Sequence, residues 1–133
     1  MNDYVNILQH SIDTSISMKI FKNRDEASVA HIFKSKFIKI PLSIFKNNEV
    51  NNFDLIRLQK SAVKAYPINN RPRGNSDINS VKYYQKQIQQ KKEITPIWII
   101  QKNNKYILLD GTHRIVASYI EEQKFINSYI IIL

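Results

Sequence analysis

An apolar run, Tyr106-Ile107-Leu108-Leu109, ends at Asp110-Gly111, and beyond it Ile115, Val116, Tyr119 and Ile120 recur at helical spacing. The chain must therefore pass from strand to helix through a single glycine turn. A helix that opens there leaves its first N–H groups pointing at one spot, and its dipole adds partial positive charge. Thr112, His113 and Arg114 bring a hydroxyl, an imidazole and a planar guanidinium to the same place. The expected occupant is a phosphate.

The remaining pattern sets strands and helices in irregular alternation. A helix is predicted over Asp3 to Ile12, a short strand over Met18 to Phe21 and a second helix over Arg24 to Lys34. Phe37 to Phe45 reads as a strand interrupted by Pro41, which suits an edge or a bulge. Asn52 is placed to cap a helix over Phe53 to Ala65, and Pro67 to Ser76 is the clearest loop. Asp77 opens another helix, with Val81, Tyr84 and Ile88 on its apolar face. Thr95 to Gln101 and Tyr106 to Leu109 form a hairpin around a turn at Lys102 to Lys105, and Phe125 to Leu133 is the last strand. These elements predict an α+β fold with a mixed small sheet and packed helices.

At 133 residues the chain is long enough to bury a core without staples. Cysteine is absent, which removes disulfides, thiolate metal sites and a cysteine nucleophile, and suits a reducing compartment. No secretory signal and no apolar stretch of membrane-spanning length occurs, so a soluble, cytoplasmic protein without a membrane partner is expected. The net charge of +9 favours polyanionic partners, nucleic acid and nucleotides among them, although the lysines are scattered along the chain. Three of the five arginines, Arg71, Arg73 and Arg114, lie in the two segments that carry the only glycines, Gly74 and Gly111.

From Phe37 onward these residues resemble the ParB/sulfiredoxin superfamily. The matching elements are Ile40-Pro41-Leu42, the segment Arg71-Pro72-Arg73-Gly74-Asn75-Ser76-Asp77 with its following helix, Thr95-Pro96-Ile97, and Gly111-Thr112-His113-Arg114-Ile115-Val116-Ala117. On that resemblance residues 37–133 form the nucleotide-binding domain, and residues 1–36 are an N-terminal extension packed on it. Asp110-Gly111-Thr112-His113-Arg114 is similar to the Asp-Gly-His-His-Arg form of the free-serine kinases. The resemblance implies a bound nucleoside di- or triphosphate: CTP as in ParB proteins, or ATP or ADP as in the others. Gly111, Thr112, His113 and Arg114 would cradle its phosphates, with Arg71 and Arg73 contributing contacts. Asp110 would orient Mg²⁺ or an acceptor hydroxyl, His113 would serve in acid–base chemistry, and Glu49, by its place after a strand, would be the general base. Sulfiredoxins carry their catalytic cysteine at the position of Thr112, so sulfinic acid reduction is excluded for this chain.

Two functions from different classes follow. One is a nucleotide-dependent phosphotransferase or hydrolase, acting on a small hydroxyl-bearing acceptor or on water. The other is a non-catalytic module that binds nucleotide or nucleic acid, in the manner of ParB-like DNA-binding or nuclease-type proteins. His10 and His31 fall on predicted helices without spaced ligand partners, and Trp98, Tyr83 and Tyr84 fit a core pattern better than a stacking platform.

Overall fold

The computed structural model describes residues 3–55 and 77–133. Arg71 and Arg73, the loop at 67–76 and most of the helix expected after Asn52 lie outside the described residues. The described elements run α1 (Asp3–Ser17), α2 (Arg24–Phe33), β1 (Ser35–Pro41), α3 (Ser43–Lys46), α4 (Asp77–Gln89), β2 (Ile97–Lys102), β3 (Lys105–Asp110), α5 (Thr112–Ile120) and β4 (Phe125–Ile132).

The four strands form one mixed sheet in the order β1-β4-β2-β3. β4 pairs antiparallel with β1 and parallel with β2, while β2 and β3 form the antiparallel hairpin. The hairpin turns at Asn103 and Asn104, both with positive φ (53° and 62°), the backbone that a tight two-residue connection of primed type needs. Asparagine tolerates this region nearly as glycine does.

Side chains alternate along β2, and both of its faces are buried. Ile97 and Ile99 enter a core with Val81 and Tyr84 of α4, Ile115 and Val116 of α5, and Ile126 and Ile130 of β4. Trp98 and Ile100 point to the other face, where Ile7 and Ile12 of α1 and Ala27 and Ala30 of α2 cover them. The first 36 residues thus supply one face of the core. His31 is buried there, with Nδ1 donating to Ala27 O at 2.7 Å and Nε2 accepting from Ser11 Oγ at 2.8 Å. Burial pushes its pKa down against the raising effect of the Ala27 bond, in keeping with a neutral ring.

Three local expectations are corrected. Met18 to Phe21 is not a strand: α1 runs on to Ser17 and closes in a turn with Lys19 at φ 60°. The strand expected to reach Phe45 stops at Pro41, which ends the edge strand β1, and Ser43–Lys46 coils into a short helix. Asn52 does not act as a helix cap, because its amide accepts from Leu108 N at 2.8 Å and donates to Leu108 O at 2.7 Å, tying it to β3. Of the aromatics expected in the core, Trp98 and Tyr84 are buried and Tyr83 is exposed.

Candidate functional site: the turn between β3 and α5

Gly111 is the hinge of the site. Its φ of 126° lies where side chains are strained, and a Cβ built on it would come 2.3 Å from Ile97 Cγ2 and 2.7 Å from Ile97 Cβ. The turn is therefore pressed onto β2, and no other residue fits. A bulge sits beside it: Trp98 pairs with Asp110 but Ile99 pairs with Leu108, so β3 carries one extra residue just before the turn.

Two helix starts in the same molecule are built differently. α2 is capped by Asn23, whose side chain accepts from Glu26 N at 2.9 Å, and Asp25 and Glu26 place negative charge in its first turn. α5 starts from Gly111 with no side-chain cap and no acidic residue in its first turn. The first N–H to find a helical acceptor is that of Ile115, which bonds Gly111 O at 3.0 Å. The N–H groups of Thr112, His113 and Arg114 precede it. Thr112 and His113 are half-buried at the rim of this turn.

Arg114 lies beneath the turn. The residue is 3% exposed, and its guanidinium pairs with Asp110 Oδ2 and donates to Thr95 O at 3.0 Å and Pro96 O at 2.6 Å. It is also 5.9 Å from the Tyr84 ring centroid. The planar fork thus joins the end of β3, the approach to β2 and α4 into one unit. The second oxygen of Asp110 accepts from His10 Nδ1 at 2.6 Å, a contact that reaches across from α1. Burial pushes the Asp110 pKa up, but the His10 hydrogen bond and the nearby Arg114 charge outweigh it and hold the carboxyl below its ordinary range. The same hydrogen bond raises His10 above its ordinary value, against a smaller opposing effect of burial.

The remaining expected residues are placed differently. Glu49 is exposed, and its neighbour Val50 pairs with Tyr106 at the opposite end of β3 from Asp110. Asp110 lies four positions along the strand from Tyr106, about 13 Å. Glu49 is thus not brought to the turn. Asp110 is not arranged as a metal ligand either. Both of its oxygens are engaged, a guanidinium and an imidazole flank it, and no group of three or more His, Asp or Glu side chains suited to a metal occurs among the described residues. The described residues do not fit a protein-held Mg²⁺. His10, which the sequence left without a partner, is instead a member of the site; its partner lies 100 residues away, and no local pattern signals it.

No family model matches the chain, and neither does any curated protein. Among solved structures, the crystal structure of sulfiredoxin from Arabidopsis thaliana is similar at 21% identity, over 71% of this chain and 83% of that one, with a TM-score of 0.46. What the turn can do follows from its own residues. No helix among the described residues is long and apolar enough to cross a membrane.

Proposed function

We propose that the chain binds a nucleotide by its phosphates at the start of α5. The observation that carries this is the uncapped helix start at Gly111, which has neither a capping side chain nor an acidic first-turn residue, whereas α2 has both. Thr112 contributes a side-chain donor at the rim. Asp110 and Arg114 form the frame that fixes the turn, with their charges turned toward each other. Magnesium, where it takes part, arrives on the nucleotide phosphates.

For phosphotransfer or hydrolysis, His10 and Asp110 would serve as an oriented acid–base pair. Asp110 holds His10 by Nδ1, which leaves Nε2 as the ring's proton-accepting nitrogen, and the His10 side chain is 64% exposed. This pair takes the place that Glu49 was expected to fill. The acceptor is water or a small hydroxyl compound. The remoteness of Glu49 favours a second reading, a module that binds nucleotide without turning it over.

The test is thermal-shift binding of ATP, ADP, CTP and GTP, with and without Mg²⁺, to wild type and Thr112→Glu. A carboxylate in the first turn stabilises the helix by about 0.3–1 kcal/mol and repels phosphate. One nucleotide should stabilise wild type and leave the folded variant unmoved. Turnover in wild type that His10→Gln abolishes selects the enzyme, and binding without turnover selects the module.

A further inference from the structure

A cavity of about 630 Å³ opens where the C-terminal ends of α4 and α5 meet the start of β4 and the end of β1. Ser118 on its wall is six residues along α5 from Thr112, about 9 Å, so the cavity lies beyond the far end of that helix from the turn. Its size is that of a pocket for a small ligand or one unit of a polymer.

Its lining is one-sided in charge. Among the described residues, Lys39, Lys91, Lys92 and Lys124 face it, against Glu93. None of the four lysines forms an ion pair with a described residue. Two helix C-termini point toward the same place, but each contributes only about half a negative charge. Together they offset roughly one of the three uncompensated positive charges. The groove stays electropositive.

Phe125, on the same lining, is 55% exposed. An exposed aromatic ring among ammonium groups is the combination that holds single strands: the ring stacks a base and the cations track the phosphates. We infer that this groove binds single-stranded nucleic acid, with Phe125 stacking a base and the four lysines holding the backbone. The inference is independent of the nucleotide at the turn.

The test is fluorescence anisotropy with labelled oligo(dT) and oligo(U), measured across salt, on the full chain. Wild type should bind with affinity falling on added salt, at a slope of about −2 to −3 in log–log form for three or four phosphates. Lys92→Glu/Lys124→Glu should weaken binding at least tenfold. Lys22→Glu/Lys34→Glu makes the same change in net charge at exposed positions away from the groove, and should weaken it far less. Phe125→Ala should cost at least about fivefold, and Thr112→Glu should bind as wild type does. Circular dichroism verifies that each variant is folded. The inference is overturned by absence of binding to both oligonucleotides at low salt, by equal losses in the two lysine pairs, or by loss in Thr112→Glu. The relative strength of the two oligonucleotides assigns the groove to DNA or RNA.

Discussion

His10 and Asp110 stand 100 residues apart in sequence and meet at 2.6 Å, joining the N-terminal helix to the strand that leads into the candidate site. Asp110 in turn holds Arg114, so one carboxylate connects a helix on one face of the sheet to a helix on the other. The pair also sets how the molecule responds to pH.

The His10 pKa is raised above its ordinary value of about 6.5, so the stability gained from this contact is full below that pH and is lost as pH rises through the raised value. His31 runs the other way. Its pKa is lowered by burial, so its contribution is full above its ordinary value and is lost as pH falls toward the lowered one. Proton NMR titration of the ring Cε1–H signals should give a midpoint above 6.5 for His10 and below it for His31. A His10 midpoint at or below 6.5 would show that the Asp110 contact does not form.

Arg114 should matter more for stability than for ligand contact. Removing its side chain leaves a buried carboxylate and two carbonyls without their donor, which costs about 3–5 kcal/mol. That is a large share of the stability of a single domain. Arg114→Ala should therefore unfold at much lower temperature in the absence of any ligand. Arg114→Lys should recover only part of the loss, since an ammonium cannot reproduce the fork. An alanine variant as stable as wild type, followed by urea denaturation, would contradict the internal role.

Gly111→Ala tests the packing of the turn on β2. The added methyl meets Ile97 at well under van der Waals distance, in a backbone region closed to alanine. Positive φ and overpacking each cost about 1–3 kcal/mol. The expected result is a clear drop in Tm, and an unchanged Tm would mean that the turn sits farther from Ile97.

Glu49→Ala and His10→Gln separate the two candidates for acid–base work. Glu49 is exposed and lies beside Tyr106, so its loss should change stability by no more than about 0.5 kcal/mol and leave nucleotide binding and turnover intact. His10→Gln should lower turnover while nucleotide affinity stays within a few fold. Loss of turnover in Glu49→Ala alone would restore the carboxylate to the mechanism.

Much of the architecture was legible because it rests on short-range pattern. Helical spacing over Val81, Tyr84 and Ile88, alternation through Ile97 to Ile100, and Gly111 between strand and helix each carry their own signal. Tertiary contacts decided the rest. Asn52 had the chemistry of a cap, but the backbone of Leu108 competed for its amide and won. Arg114 had the chemistry of a phosphate contact, but Asp110 and the carbonyls of Thr95 and Pro96 hold it inside. His10 falls on a helix without spaced ligand partners, and nothing in the sequence near it records where Asp110 will be. The lysines are scattered in sequence, and Lys39, Lys91 and Lys124 gather only when β1, α4 and β4 fold together.

The backbone amides of Gly111, Thr112 and His113 are the most direct witnesses to the proposed phosphate site. Their ¹H–¹⁵N signals should be followed while ATP, ADP, CTP and GTP are added to wild type and Thr112→Glu. Bound phosphate should move these three signals most, with one nucleotide saturating at the lowest concentration, and Thr112→Glu should show no such shift while remaining folded. Signals that stay in place with every nucleotide, or that shift equally in Thr112→Glu, would contradict phosphate binding at the start of α5.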